Sequence, residues 1–394
     1  RLFANLAAGR IQTGPIDILL NRVFRYNLYE GSRLGIGLET NSRLSEFFNL
    51  GGYFAYGTRD RAAKYGGWLR LHLAKRNETQ FVASYQQDVL EPGTVEYFAQ
   101  GPRRTVTNVR NLLISRMDWV ERFSGEISLR PFTYGQLSVS LTATNRRPNY
   151  DYFYVNTDNS QTNVFKTTEA GLGFRYAYKE TFRQIGDYKT PYQIASPVFT
   201  FYFGQGLEGF LNGEYSYRRF FLKIDHSLSK RYFGQTDFQV SVGGIFGNAP
   251  YPLLNIGQGS FGERLNFVYA PNTFQTMRLY EFAADRYAYL FLKHNFGSLL
   301  FKPKSKYVRP EINLVQSIGW GDLTNRNRHE GIAFDTPRRG YFESGLLVNN
   351  LLRIEYLDLY YIGLGGGAFY RYGPYALENQ RDNVVFKFYI TSSF

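Results

Sequence analysis

Four histidines, His72, His226, His294 and His329, are the side chains best suited to acid–base or metal chemistry, and they are scattered along the chain. None stands at the paired spacing of a zinc site, and there is no His-Glu-x-x-His sequence. Asp225-His226-Ser227 brings the residue types of a hydrolytic relay together. Neighbours in a strand point to opposite faces, however, and cannot form that relay. Cysteine is absent, which removes disulfides, thiolate nucleophiles and Cys-ligated metals together. Gly363-Leu364-Gly365-Gly366-Gly367 lacks the lysine and following helix of a phosphate loop and reads as a strand. Glu121 and Glu126 read as charges on a wet face or at a rim. The compact basic cluster Lys302-Pro303-Lys304-Ser305-Lys306 is either a solvated turn or a contact for phosphate-bearing head groups or an acidic partner. No catalytic, cofactor-binding or metal-ligating set emerges, so the chain is expected not to be an enzyme. A lipid-modifying site, with Ser and His brought together from different strands, is the catalytic alternative.

The elements carrying these residues are strands. Tyr (33), Phe (35) and Gly (39) dominate the 394 residues, a bias toward strands and tight turns over helices. Mean hydropathy is −0.36, too polar for a helical membrane protein, and no apolar run approaches the ~18 residues of a spanning helix. Period-two alternation is the primary signal. Leu137, Val139, Leu141 and Ala143 alternate with Gln136, Ser138, Ser140, Thr142 and Thr144. Ala170, Leu172, Phe174, Tyr176 and Tyr178 alternate with Glu169, Gly171, Gly173, Arg175 and Lys179. Full charges on the second face suit a wet lumen and not the dry core of a sandwich. Shorter versions occur at Leu34/Ile36/Leu38, Leu69/Leu71/Leu73 and Phe238/Val240/Val242. In Tyr360, Ile362, Leu364, Gly366 and Ala368, Gly363, Gly365 and Gly367 take the other face, leaving space or letting a neighbour pack closely.

Polar, turn-rich stretches separate the runs, with short connections such as Arg130-Pro131 and long ones such as Asp322 to Arg339. Such a two-length distribution characterises outer-membrane barrels, whose periplasmic turns are short and external loops long. The expected fold is all-β: a transmembrane antiparallel β-barrel of about 16 strands filling 1–394 as one domain. The formal charge of +13 is spread singly along strands and loops, so nucleic acid is not the expected partner. Lipid head groups and lipopolysaccharide at the rim are expected instead. Arg1-Leu2-Phe3-Ala4-Asn5 does not open a signal peptide, so a signal and an N-terminal domain are expected upstream.

The most specific local pattern is the last strand. From Asn383 the even positions read Val384, Phe386, Phe388, Ile390, Ser392 and Phe394. Bare at a terminus, such an edge is an aggregation hazard, whereas in a barrel it is the closing strand. Phe386, Phe388, Ile390 and Phe394 resemble the C-terminal signal that barrel-assembly machinery binds by strand addition during biogenesis. An integral outer-membrane location with a periplasmic C-terminus follows as the expectation.

Five strands are expected at about 284–296, 307–320, 343–356, 357–371 and 382–394. Before them lies Pro252 to Tyr280, with Gly257, Gly259 and Gly262, ending Met277-Arg278-Leu279-Tyr280. This resembles the long sixth loop of BamA-type assembly and secretion barrels. In that family the loop folds into the lumen and sets an Arg-Gly-aromatic tip against the inner wall, with five strands following. The resemblance makes Arg278 and Tyr280 the tip, with acceptors at Glu281, Glu311 or wall carbonyls. Leu279 departs from the family's glycine, and Val315, Ser317 and Gly319 stand where aromatic-x-Asp-x-Gly is expected. Arg339-Gly340-Tyr341 matches the tip letter for letter, but comes too late in the chain and reads as an ordinary loop tip.

Two further phrases resemble an uncharacterised Bacteroidota group with a carboxypeptidase-regulatory-like domain before the barrel. They are Glu30 to Gly35 continuing through Gly51 to Gly57, and Gly340-Tyr341-Phe342-Glu343-Ser344-Gly345. The resemblance implies that the chain helps insert or translocate protein or lipid, using strain at the closing seam, with periplasmic or client proteins as partners. A passive pore, or an anchor for an upstream soluble domain, is the alternative.

Overall fold

The computed structural model describes residues 9–94, 109–185, 188–193, 196–262, 264–297, 299–300, 305, 307–356 and 360–393. They divide into two compact units, Arg1–Leu222 with Gly243–Asn255 and Thr324–Ile332, and Lys223–Val242 with Ile256–Leu323 and Ala333–Phe394.

In the first unit, strands Gly31–Thr40, Phe48–Gly57, Ala63–Ala74, Thr79–Leu90, Asp118–Leu129, Gly135–Pro148, Phe165–Ala177 and Val198–Gly206 each pair antiparallel with the next. Ile16–Leu19 and Phe24–Asn27 both lie along Gly31–Thr40 and make one interrupted strand before it. The alternation explains the ladder. Leu137, Val139 and Leu141 face Phe174, Leu172 and Ala170 across the pair, while Ser138, Ser140 and Thr142 face Gly173, Gly171 and Glu169. Val139 and Leu172 are 55% and 41% exposed, whereas Gly171, Gly173 and Arg175 are buried. An apolar side turned outward and a polar side turned inward is a sheet built for lipid.

Several inward arginines of this unit pair with its own carboxylates. Arg10 bonds Asp17 and Glu39 at 3.2 and 3.1 Å, and Arg70 also meets Glu39. Arg33 grips Asp88 through two bonds of 2.7 and 2.8 Å, and Arg175 holds Glu180 the same way. Such forks satisfy planar charge geometrically, as burial requires.

In the second unit, strands Arg286–Asn295, Glu311–Asp322, Tyr341–Tyr356, Tyr360–Tyr372 and Val384–Ser393 pair antiparallel in order. All five expected strands are present, with bounds displaced by a few residues. Gly365 and Gly367 serve close packing: a Cβ would strike the Tyr389 ring at 2.7 Å and the Leu346 carbonyl at 2.2 Å. The hairpin of Tyr217–Lys230 and Gly234–Gly247 contributes residues to both units. Counting the interrupted first strand once, and apart from the four-residue Arg10–Thr13 that pairs with its first piece, sixteen strands succeed one another along the chain among the described residues, in line with the expected number. Shorter strands lie in the connections. Short turns such as 75–78 and 130–134 alternate with longer segments such as 91–117 and 149–164, the two-length pattern read from sequence. No helix among the described residues is long and apolar enough to cross a membrane.

Candidate functional site

The long connection before Arg286 is a folded element, and its shape comes from small and polar residues. Gly259–Phe261 runs parallel to Phe274–Arg278. The approach demands glycine: a Cβ on Gly259 would lie 2.4 Å from the Arg278 carbonyl. Gln275 turns its amide back on the same segment, donating to the carbonyls of Ala270 and Thr273 at 2.6 and 2.9 Å. Thr273 Oγ1 donates to the Ala270 carbonyl at 2.8 Å and closes the turn.

That preformed turn presents two successive backbone amides to one carboxylate. Glu343, on strand Tyr341–Tyr356 and fully buried, accepts from the amides of Gln275 and Thr276 at 3.0 and 2.6 Å, and from Thr276 Oγ1 at 2.6 Å. Tyr341 completes the contact with its hydroxyl 2.7 Å from Thr276 Oγ1. Consecutive amides form an anion-binding concavity, and hydrogen bonds to an ionised acceptor are about twice as strong as neutral ones. Beside them Phe274, fully buried, packs against Tyr289, Phe291 and Tyr341 with centroids 4.9 to 5.5 Å apart. Gly319 makes room for it: a Cβ there would sit 2.7 Å from the Phe274 ring.

Two further attachments hold the segment. At its exit, Glu281 accepts from Arg371 at 2.7 Å, and Arg371 lies over the Tyr341 ring. Phe282 bridges Asp335 in parallel, with the Ala283 amide donating to the Asp335 carbonyl at 2.9 Å. Nearer its start, the segment meets the last strand. Buried Lys387 donates to the Ser260 carbonyl at 3.1 Å, and Val268 bridges Phe388.

The expected tip residues therefore need correction. Arg278 is exposed, and its backbone amide, not its guanidinium, donates to Glu281 at 2.8 Å. Tyr280 is buried, with a positive φ of 62° in the turn that follows. The wall contact falls two to four residues earlier, at Phe274, Gln275 and Thr276. Glu281 is an acceptor as expected, but its side-chain donor is Arg371; Glu311 accepts from Asn295 at 3.0 Å. Tyr341 is more than a loop tip, because it begins a strand and faces the inserted turn. The acidic pattern sought at Val315–Gly319 occurs one strand later as Tyr341-Phe342-Glu343-Ser344-Gly345. That spacing was a usable signal; amide donors carry none, since every residue but proline has one.

Phe386, Phe388 and Ile390 project outward at 65%, 61% and 72% exposure, while Val385 and Lys387 are buried. Phe394 lies outside the described residues, as do Lys302, Pro303, Lys304 and Lys306. The histidines have separate partners: His72 meets Asn49, His294 meets Thr236 and His329 meets Tyr152 at 2.7, 2.8 and 2.9 Å, and His226 packs on Phe238. Ser227 donates to Asp237 at 2.6 Å. Glu121 accepts from Tyr85 at 3.1 Å, and Glu126 lines a cavity. Among the described residues no three His, Cys, Asp or Glu side chains group to hold a metal.

The first unit holds that cavity, of about 470 Å³. Arg22, Arg122 and Glu169 line it, together with Trp68 and the hydroxyls of Ser124 and Thr142.

Residues 136–320 match the model of the C-terminal domain of a family of unknown function, DUF5686. No curated protein matches the chain in sequence. Among solved structures, BamA from Haemophilus ducreyi lacking POTRA domains 1–3 aligns with 97% of this chain and 70% of its own, at TM-score 0.57 and 10% identity. CdiB from Acinetobacter baumannii and from Escherichia coli align at TM-scores of 0.43 and 0.46, with 12% and 9% identity over 92% and 97% of this chain. The chain spans 57% and 63% of those two. The likeness to BamA, together with the outward apolar ladder, establishes the fold as an all-β, antiparallel membrane barrel of BamA-like type with a long loop folded inward.

Proposed function

We propose that this chain is an outer-membrane barrel that assists the insertion or translocation of protein or lipid without covalent chemistry. The observation that carries the reading is the folded segment before the last five strands. It is anchored on the wall by Glu343 and reaches the edge of the last strand at Phe388. A strand edge engaged through backbone bonds by a segment of the same chain suits a protein that handles other strands at its seam. The Bacteroidota group, an upstream carboxypeptidase-regulatory-like domain, a periplasmic C-terminus and client proteins belong to this proposal. So do lipopolysaccharide contacts and recognition of Phe386, Phe388, Ile390 and Phe394 by the assembly machinery.

A second reading, a passive pore, draws on the cavity of the first unit, where arginines and hydroxyls make a wet passage. Planar-bilayer recording separates the two. Low, flickering conductance, together with faster folding of an added unfolded barrel protein into vesicles, supports the assembly reading. A steady large conductance without faster folding sinks it.

A further inference from the structure

The last strand uses its two edges differently. Toward Tyr360–Tyr372 it forms a full antiparallel ladder, in which Phe388 stands opposite Gly366. In such ladders alternate residues turn both backbone groups to the far edge. Phe388 does so, and its far edge is taken by the inserted segment. Its amide donates to the Phe267 carbonyl at 2.6 Å, and its carbonyl accepts from the Tyr269 amide at 2.9 Å. Val268 is thus a parallel partner of Phe388. Tyr269 stacks on Phe369 and meets the tilted ring of Tyr389, with centroids 5.8 and 5.1 Å away. Leu265 and Asn272, both at positive φ, bracket the stretch as bends.

We propose that residues 266–271 are an in-cis latch. They occupy the far edge of the last strand at Phe388, and must leave before an incoming polypeptide strand can pair there. The proposal rests on the assembly reading and adds its regulation. The segment's attachments differ in kind. At the turn, a carboxylate, two amides and a buried Phe274 form a permanent anchor. At the edge, an isolated bridge supplies two neutral backbone bonds, exchangeable for those of a longer strand, beside the Tyr269 ring contacts; the Lys387 bond to Ser260 lies outside residues 266–271. Phe386, Phe388 and Ile390 face outward, so an arriving strand extends the sheet if it alternates apolar and polar residues.

The cysteine-free chain makes the test clean. Val268→Cys with Phe388→Cys places two thiols on facing residues of a bridge, within disulfide reach. Two readouts follow on the reconstituted chain, oxidised and reduced: folding of an added barrel protein into vesicles, and binding of a labelled peptide with the sequence of residues 384–394. The latch requires that oxidation weaken peptide binding by about five-fold or more, reversibly. Tyr269→Pro, which removes the amide donor to Phe388, should tighten peptide binding over the parent chain. If the disulfide forms and the peptide binds both states equally, the latch is wrong, whatever the folding rates. Failure of the pair to cross-link in folded protein overturns it as well. If peptide binding responds but neither state accelerates folding, the latch stands and the assembly reading fails.

Discussion

The two units differ in where most of their inward charges find partners, although in the first Arg146 also donates to the Pro252 carbonyl of a connection at 2.6 Å. In the first, Arg10, Arg33, Arg70 and Arg175 find carboxylates of the same unit, and Arg10 and Arg70 also line its cavity. In the second, the wall residues Glu343, Lys387 and Arg371 bond to the inserted segment. The difference teaches that one strand pattern, polar inside and apolar outside, supports either a wall that pairs its own charges or a wall that pairs them with an inserted loop. Buried polar groups need partners, and where the wall supplies too few, a loop becomes part of the wall.

The sharpest way to break the comparison is to remove a self-paired charge. Arg33→Ala strands Asp88, which also accepts from Tyr53 at 2.6 Å. Breaking a buried pair costs about 3–5 kcal/mol, so the variant should unfold at clearly lower urea with the second unit's loop still protected from protease. The converse is Glu343→Leu, which leaves the Gln275 and Thr276 amides unpaired at a cost of about 3 kcal/mol. Here proteolysis should open the chain between 256 and 284 while the heat-modifiable gel shift persists. Equal protection of that loop in both variants refutes the contrast.

Neighbouring residues test which face of the first unit is wet. Leu141→Lys turns a charge toward lipid and should cost about 2–4 kcal/mol, whereas Thr142→Lys enters the cavity and should cost under about 1 kcal/mol. Similar losses from the two would mean that the faces are misassigned.

A pH test addresses the loops of the first unit. His329 lies buried in the 323–340 connection beside Tyr152, whose hydroxyl also accepts the Tyr251 amide. Burial foremost, then Arg326 and Arg328, lowers its pKa to about 3. An unfolded imidazole titrates near ~6.5, so the unfolded chain takes the proton first. The stability from this site is complete above that pH and is lost as pH falls toward about 3, by ~2 kcal/mol at about pH 5. Hydrogen exchange of the 152–154 and 329–330 amides should rise accordingly, and His329→Gln should flatten the response. The smallest effect is expected at Arg278→Ala, within about 0.5 kcal/mol, because an exposed side chain leaves no buried group orphaned. A loosened loop in that variant would restore Arg278 as the anchor.

Much of the frame was legible because a strand's period of two is written in side chains. Leu137 to Ala143 and Ala170 to Tyr178 declared both faces, and the glycine-bearing stretch before the last five strands declared an inserted loop. Gly319 belongs to the expected motif position, although its role is to admit Phe274. Glu343 stands in the sequence within Tyr341-x-Glu343-x-Gly345, but its partners are not legible there, since a guanidinium is a side chain that sequence displays and a pair of amides is not.

The sequence by itself determined an alternating, cysteine-free, strand-built chain with one face for lipid, about sixteen strands and a long loop before the last five. Those properties reside in the order of side chains along one strand at a time. Only the tertiary structure decided which carboxylate holds the loop, that Arg278 stays exposed, and that Val268 lies on the edge of Phe388. These contacts join residues 67 to 120 positions apart, and on at least one side use backbone groups that every residue but proline carries, so register and chain path select that partner and residue type does not.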